Sequence, residues 1–381
     1  MTIYYLSTTF FSDTDLNVLK NIVKGHKVIY TVIFSKSNAN YSKEELQIYC
    51  DQYNIEFIPV QLKYRHRNPL NLIAFLKIIQ SIKQSNADIL YAFDFNELYL
   101  NTVLYLFQKT NNTIIGVHDV QNHSGTKNSA VSGFAKNLLL RKFKYFQTFS
   151  KVQQNILLSR NQGQQVFSIP LGLKDFGPKP EVSKPEAFTS FLFFGNVMPY
   201  KGLANLISCI NQLAQKYSNF RLVIAGRAPN WAQEYAPLIT AHANISANIG
   251  FINNEDIPTY FSHADYLILP YKDVTQSGPL TIAYQYNVPV IATNLEGFRE
   301  FIYPDETGYL CNPDVEHSLY LQLENAINRS TEEYELLTHR LAETVKREFS
   351  DASLHEQYNR MFSQVASALK QNQKESFAMS T

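Results

Sequence analysis

The chain has 381 residues, of which 45% are hydrophobic and 18% are charged, and its formal net charge is +1. This composition excludes a disordered chain, and the length exceeds one typical hydrophobic core, so we expect two domains. Three well-separated cysteines exclude a disulfide framework and, with an N-terminus that resembles a first β-strand, predict a reducing cytoplasm. No apolar run approaches the roughly 18 residues that a membrane-spanning helix needs.

Strand-like apolar runs alternate with helix-length amphipathic segments, which predicts parallel sheets covered by helices. In the first half the predicted strands are IYYLS, KVIYTVIF, IEFIPV, DILYAF, TIIGVH, YFQTFS and QVFSIP. A stretch with prolines at positions 170, 178, 180 and 185 follows. Because proline disfavours helix and ladder pairing, we predict a linker there.

In the second half the predicted strands are SFLFFG, FRLVIAG, NISANIGF, DYLILP, VPVIAT and TGYLC. A final amphipathic segment predicts a helix over residues 350–370. The predicted domains are therefore 1–172 and 188–349, joined by a linker over 173–187 and followed by that helix. Open α/β sheets bind ligands at the carboxyl ends of their strands, so we expect the ligand in a cleft between the domains.

Four loops of the second half directly follow predicted strands, namely GNVMPYKG, GRAP, GF and QSGP. In the last loop, Ser277 suits a helix N-cap, Gly278 permits close backbone approach and Pro279 suits a first helical turn. Such a helix start presents free N–H groups and a positive dipole end, and Lys201 adds an ammonium. These loops predict a diphosphate site, and ordinary capped turns with a solvated lysine are the alternative.

A longer pattern covers about residues 188–312, in the order FLFFGNVMPYKGLANLI, FRLVIAG, IGFINNEDIPTYFSHADYLILPY, QSGPLTIAYQYNVPVIATNLEGFREFI and ETGYLC. This pattern resembles the C-terminal domain of glycosyltransferase family 4, which consists of retaining enzymes that use nucleotide sugars. The first half is similar more loosely, through DILYAF, TIIGVHDVQNHSG and IPLGL. The resemblance implies the α/β GT-B architecture, with two Rossmann-like domains, an interdomain cleft and a C-terminal helix that crosses back to the N-terminal domain.

The resemblance also implies roles for single positions. Gly195 and Lys201 match the loop that holds the donor phosphates, and Gly250 and Phe251 match the backbone that faces the nucleobase. Ser277 and Gly278 match the helix start beneath the diphosphate. The implied catalytic residues are Lys201, His118 and Asp119, with His118 close to the transferred sugar. A capped turn at a strand end is the alternative for His118 and Asp119.

The sequence departs from the family pattern at several donor-site positions. Asn196 stands where the family usually has arginine, and Arg227 is a candidate replacement for that charge. Val274 and Ile282 stand in place of the usual pair of glutamates, so the QSG sequence resembles a variant subgroup. In that variant, Gln276 is a candidate hydrogen-bonding group for the donor sugar or ribose. Arg227 in solvent is the alternative.

Charge is distributed unevenly along the chain. Residues 1–180 contain 20 Lys and Arg against 11 Asp and Glu, a surplus of 9, and the remainder contains 14 against 22. The segments 63–67 and 134–147 combine basic and aromatic residues, and as a helix the second would suit a membrane interface. We therefore predict binding to an anionic membrane, peripherally on its inner face. A core helix with snorkelling lysines and an acceptor carrying pyrophosphate are the alternatives.

The leading hypothesis is a retaining hexosyltransferase that transfers a sugar from a nucleotide sugar to a glycan or lipid-linked acceptor of cell-surface glycan synthesis. No metal or cofactor is expected, because the nine histidines are scattered and none has metal-ligand spacing. Nucleic acid is not an expected partner. The rival hypotheses are a non-catalytic nucleotide-sugar-binding subunit, which the missing glutamates favour, and another GT-B enzyme such as a nucleotide-sugar epimerase.

Overall fold

The computed structural model describes the chain except for residues 36–40, 66–67, 94–97, 119, 121–129, 161–162, 183–187, 242 and 381, and the side chains of 130–132, 135 and 372–380. The described residues divide into two compact units. The first unit contains residues up to Gly172 together with those from Asp351 onward, and the second extends from Leu173 to Ser350.

The first unit contains a parallel sheet of seven strands in the order β3-β2-β1-β4-β5-β6-β7. The strands are β1 (Thr2–Thr8), β2 (Lys27–Phe34), β3 (Glu56–Gln61), β4 (Ile89–Phe93), β5 (Thr113–Val117), β6 (Tyr145–Thr148) and β7 (Gln165–Ser168). All seven strand predictions for this half are confirmed.

Helices cover both faces of this sheet. They are α1 (Ser12–Ile22), α2 (Lys43–Gln52), α3 (Leu72–Gln84), α4 (Leu98–Phe107), α5 (Ala130–Lys142) and α6 (Lys151–Arg160). Neighbouring residues of β1 show the two faces, because Tyr4 donates to Ser81 of α3 at 3.0 Å and Tyr5 donates to Asp15 of α1 at 2.9 Å. Right-handed crossovers place α2 with α1 and place α4, α5 and α6 with α3.

The last helix, α13 (Asp351–Ser380), completes the first unit. Its Asp351 pairs with Lys20 of α1 at 2.8 Å, and its His355 contacts the Asn21 carbonyl at 2.6 Å. Five apolar side chains of α13 are buried in the core of this unit: Leu354, Tyr358, Met361, Phe362 and Val365. This packing confirms the predicted return of the C-terminal helix, which is ten residues longer than predicted at its C-terminal end.

The second unit contains a parallel sheet in the order β10-β9-β8-β11-β12-β13. The strands are β8 (Thr189–Phe194), β9 (Phe220–Gly226), β10 (Ile245–Ile249), β11 (Tyr266–Leu269), β12 (Val290–Thr293) and β13 (Gly308–Cys311). The helices are α7 (Leu203–Leu213), α8 (Ile257–His263), α9 (Gly278–Gln285), α10 (Glu296–Arg299), α11 (Ser318–Ile327) and α12 (Thr331–Glu348). Apolar cores lie on both faces of the sheet.

Two parallel sheets with helices on their faces confirm the predicted pair of Rossmann-like domains. In each sheet the strand order reverses beside the first strand, between β1 and β4 and between β8 and β11. Ligands of open α/β sheets bind beyond the carboxyl ends of the strands at this point. Among the described helices, none is long and apolar enough to cross a membrane. The three cysteines are buried and unpaired with one another.

Candidate functional site

The loop after β8 begins at a glycine whose backbone few other residues could adopt. Gly195 has φ +105°, and its N–H donates to the Ala225 carbonyl of β9 at 2.9 Å. The loop then makes a 3₁₀ turn over Pro199–Lys201 that turns the Lys201 side chain inward. Asn196 of this loop is exposed. The strand end and the turn therefore fix the position of Lys201 beside the switch point.

Lys201 is the most unusual charged residue of this site. Its side chain is only 8% exposed, and its ammonium lies 5.4 Å from the centre of the Tyr271 ring. Burial lowers the pKa of Lys201 to about 8. No acidic side chain in the described part of the chain forms an ion pair with it. A buried ammonium without an internal counter-ion is costly, so it favours an anionic ligand.

The loop after β11 ends in a capped helix start. Ser277 is the N-cap of α9, its hydroxyl accepts from the Leu280 N–H at 3.4 Å, and proline occupies the first turn. The predicted cap is therefore confirmed. Because Pro279 has no N–H and Ser277 accepts from Leu280, the start of α9 provides the Gly278 N–H and a positive dipole end.

Glycine geometry shows that these two loops meet. A Cβ atom added to Gly195 would lie 3.4 Å from the Lys201 Nζ and 3.5 Å from a side-chain carbon of Pro279. One added to Gly278 would lie 3.3 Å from the Lys174 Nζ. The start of α9 is therefore flanked by two ammonium groups. This arrangement of Lys201, Lys174 and the Gly278 N–H can bind a diphosphate.

Lys174 is a candidate that the sequence analysis missed. It lies in the predicted linker, distant in sequence from both loops, and the family motifs contain no signal for it. The proline-rich context indicated a connection only. Lys174 lies beside Gly278 and therefore places a cation at the start of α9. This chain has Asn196 at the position where the resembled family usually has arginine.

Arg227 and Phe251 contact each other in a second group at the ends of β9 and β10. The Arg227 guanidinium lies 4.7 Å from the centre of the Phe251 ring. Gly250 donates its N–H to the Gly226 carbonyl at 3.1 Å, which holds the two strand ends together. An exposed ring beneath a planar cation suits contact with another flat group, such as a nucleobase.

The positions of the missing glutamates belong to the apolar core. Val274 and Ile282 are buried in the cluster that covers one face of the second sheet. Gln276, between them, is partly buried and lies directly before the N-cap. Carboxylates at positions 274 and 282 would therefore be buried in apolar surroundings, and Gln276 and Ser277 are polar residues between these two positions.

In the first unit, His118 follows β5 and lies among aromatic rings. Its ring is 5.5 Å from Phe11 and 5.9 Å from Phe149, and Phe11 also stacks on Phe93 at 5.0 Å. Phe10 lies edge to face with Phe11 and is 77% exposed. Asp119 lies outside the described residues. The sequence pattern gave no signal for the aromatic pair Phe10 and Phe11, which directly follows β1.

The predicted basic helix over residues 134–147 is wrong. Helix α5 ends at Lys142, and Phe143, Tyr145 and Phe146 are buried, the last two within β6. These aromatic side chains pack in the core, as the alternative interpretation held. In the segment 63–67, residues 66 and 67 lie outside the described residues. Among the described residues there is no cluster of three His, Cys, Asp or Glu that could hold a metal ion.

Comparison with known proteins adds to this geometry. Residues 189–329 match the family described as glycosyl transferases group 1. A 2-deoxystreptamine N-acetyl-D-glucosaminyltransferase of Niallia circulans is 28% identical over 123 residues, which are 32% of this chain and 32% of that protein. A GDP-mannose:glycolipid 4-beta-D-mannosyltransferase of Xanthomonas campestris is 27% identical over 101 residues, 26% of this chain and 29% of that protein. The chain thus spans about a third of these relatives.

Solved structures match nearly the whole chain. A glycosyltransferase from Rickettsia africae has a TM-score of 0.72 at 18% identity, covering 96% of this chain and 98% of that one. Anabaena Alr3699/HepE in complex with UDP and glucose has a TM-score of 0.69 at 16% identity, covering 96% and 100%. These likenesses show the GT-B fold.

Proposed function

We propose that the protein is a retaining glycosyltransferase that transfers a sugar from a nucleoside diphosphate sugar to an acceptor hydroxyl. The observation that carries this proposal is the buried Lys201 ammonium, which has no acidic partner in the described residues and lies beside the start of α9. The matched family and the relatives named above support transfer of a sugar. We further propose a cytoplasmic location and no resident metal or cofactor.

The chemistry requires that the site stabilise a departing diphosphate. As the bond from the sugar C1 to the diphosphate oxygen breaks, negative charge grows on that oxygen. Lys201, Lys174 and the Gly278 N–H at the start of α9 can offset this charge without moving. The acceptor oxygen bonds to C1 on the same face, and its proton passes to the diphosphate. No covalent enzyme intermediate is needed.

The remaining donor contacts follow from neighbouring residues. Phe251, with Arg227 over its ring, and the Gly250 backbone would contact the nucleobase. Gln276 would hydrogen-bond to the donor sugar or ribose, and Gly195 and Gly278 would let the backbone approach the phosphates. A uridine nucleotide is the first candidate, because UDP is bound in the matched Anabaena structure.

We assign the acceptor to the carboxyl ends of the first sheet. His118 would contact the transferred sugar as its bond breaks, and Asp119 would assist it. Phe10 exposes its ring next to Phe11, which contacts this histidine, and would stack on the apolar face of a glycan or lipid-linked sugar. The glycolipid named for the Xanthomonas relative supports a lipid-linked acceptor. Phe10→Ala should raise the KM for acceptor and leave the KM for donor unchanged.

The competing function is non-catalytic binding of a nucleotide sugar, which the apolar Val274 and Ile282 favour. A panel of nucleotide sugars, measured first by thermal shift and then by release of nucleoside diphosphate, separates the two. We expect one donor to stabilise the protein and to be turned over slowly by water. Stabilisation without turnover, with every glycan and lipid-linked acceptor tested, would establish the binding subunit instead.

Two further measurements sharpen this test. Lys174→Met should weaken nucleoside diphosphate binding, and exposed Lys272→Met in the same unit serves as the charge-matched control. Equal affinity in the Lys174 variant would remove it from the site. The anomeric configuration of the product, read by NMR, decides retention, and an inverted product would contradict that part of the proposal. Interconversion of nucleotide sugars without transfer would identify an epimerase.

A further inference from the structure

One side of the first unit exposes an unusual number of apolar side chains. The outer side of α3 presents Ile73 and Leu76, and the turn before it presents Leu70. The last turn of α4 exposes three consecutive residues, Tyr105, Leu106 and Phe107. Ile73 and Leu106 are each 63% exposed. We call these six residues, together with Lys77, Lys83 and Lys142, the α3–α4 surface. Large exposed apolar patches mark sites of interaction.

This surface continues into a cavity of about 440 Å³ between α3 and the edge strand β3. Ile58 and Val60 of β3 line it on one side, and Ile73 and Ala74 of α3 on the other. Lys63 and Lys77 also line it, so cations accompany the apolar wall. The apolar surface is therefore deeper than a single layer of side chains.

Charge is segregated across this sheet. Helices α1 and α2, on one face, contain five acidic and two basic residues within their bounds. Helices α3, α4 and α5, on the other, contain Lys77, Lys83, Lys136, Arg141 and Lys142 and no Asp or Glu. The positive surplus of the first half of the chain is thus concentrated on the face that also exposes the apolar residues.

Single contacts show that the cations and the apolar groups intermingle. The Lys83 ammonium of α3 lies 5.9 Å from the centre of the Phe107 ring, and the Lys142 ammonium of α5 lies 5.3 Å from that of Tyr105. Lys142 also donates to the Tyr105 carbonyl. Lysine stems along apolar surface with ammonium heads above exposed rings are typical of a membrane interface.

We propose that the α3–α4 surface binds an anionic phospholipid bilayer, with its apolar side chains entering the interface and its lysines contacting lipid phosphates. Charge complementarity decides the partner, because the described helices α3, α4 and α5 contain no Asp or Glu and place lysines among exposed rings, which matches an anionic interface. Because each cation near an anionic surface adds to the attraction, a few cations and buried apolar groups suffice for reversible binding. This inference does not depend on the donor chemistry.

Co-sedimentation with vesicles tests the proposal. The full chain should sediment with vesicles of phosphatidylcholine and phosphatidylglycerol and remain in the supernatant with phosphatidylcholine alone. Ile73→Glu and Leu106→Glu should each lower the bound fraction several-fold, and Lys77→Glu with Lys83→Glu should do the same. Leu336→Glu on α12, whose parent residue is 50% exposed, is the matched control and should bind normally.

A fluorescence probe locates the contact. The chain has one tryptophan, Trp231, in the second unit, so added tryptophans report on chosen sites. Emission from Phe107→Trp should shift to the blue with anionic vesicles, and emission from Leu336→Trp should not. Unchanged binding by all α3–α4 variants, equal binding to neutral vesicles, or a shift only at position 336 would overturn the proposal. Thermal melting and donor hydrolysis show whether each variant is folded. Only variants that melt like wild type are compared for vesicle binding.

Discussion

Asp15 in the first unit and Lys201 in the second are both buried near the first strand of their sheet, and the two differ in their internal partners. Asp15 in the first unit accepts hydrogen bonds from Tyr5 at 2.9 Å and Tyr30 at 2.8 Å. Burial raises the pKa of Asp15 to about 8 despite these hydrogen bonds, so the group is largely neutral at pH 7. Lys201 in the second unit has no acidic partner in the described part of the chain.

This difference separates a structural group from a binding group. Asp15 is satisfied by the chain itself, so its energy belongs to folding. The turn over Pro199–Lys201 holds the Lys201 ammonium where no acidic side chain of the described residues pairs with it. An anionic ligand would therefore compensate this buried charge. Burial alone does not identify a functional residue, whereas burial without an internal partner does.

The largest effect is expected from removal of Asp15. Asp15→Ala leaves two buried hydroxyls without their acceptor, at roughly 1–3 kcal/mol each. Asp15→Asn resembles the neutral carboxyl and should cost much less. Hydrogen exchange of the β1 and β2 amides measures this locally, which suits a protein with two units. Equal protection in the alanine variant and wild type would contradict the structural role.

The pH dependence of the same amides sharpens this prediction. The folded pKa of Asp15, about 8, lies above the roughly 3.9 of an unfolded aspartate. Its contribution to stability is therefore full below pH about 4 and is lost as pH rises towards 8. Asp15→Asn should lack this slope. A slope of the same size in the asparagine variant would assign it to other groups.

Lys201→Met comes next in size. Loss of a charge-assisted contact should weaken nucleoside diphosphate binding by roughly 1.5–3 kcal/mol. Because the folded pKa of Lys201 is depressed, its stabilising contribution is lost as pH falls through about 8, and the variant should melt no lower than wild type at pH 7. Calorimetric titration measures the loss of nucleoside diphosphate affinity, and thermal melting at pH 7 measures the change in stability. A lower melting temperature with unchanged affinity would make Lys201 structural.

Alkaline titration gives a smaller effect. The ammonium binds a diphosphate and the free amine does not, so affinity should fall by about 1.4 kcal/mol per pH unit above the pKa of about 8. Binding measured between neutral and alkaline pH should show this slope in wild type only. The same slope in Lys201→Met would place its origin elsewhere.

Ser277→Ala has the smallest expected effect, about 1 kcal/mol of stability from the lost N-cap. Ser277→Asp keeps a cap but adds negative charge at the start of α9. We therefore expect the aspartate variant to melt like wild type and to bind nucleoside diphosphate weakly. Wild-type affinity in that variant would show that no phosphate lies at this helix start.

Much of the fold followed from local sequence pattern. Strands such as KVIYTVIF and FRLVIAG are short apolar runs between turn signals, and each forms where it was predicted. The Ser277 cap followed from the side-chain chemistry of three neighbouring residues. Features that neighbours in sequence determine were predictable in this way.

Features that distant residues determine were not predictable. Lys174 reaches Gly278 across about a hundred residues, and no pattern near either one indicates this. The apolar residues of α3 and α4 resemble core residues in sequence, and only the positions of neighbouring helices show that some face outward. The prediction of an interfacial helix over residues 134–147 was wrong for the converse reason. Phe143 and Phe146 resemble interfacial residues in sequence, but both are buried in the first unit.

Helix α13 has a consequence for the order in which the chain folds during synthesis. Domains usually fold as they leave the ribosome, the N-terminal one first. Here the core of the first unit includes Leu354 and Phe362, which are synthesised after the entire second unit. A nascent chain that ends at Ser350 can complete only the second unit. The half of the protein that is translated first is therefore the last to mature, and its unfinished apolar core is a natural client for chaperones until α13 arrives.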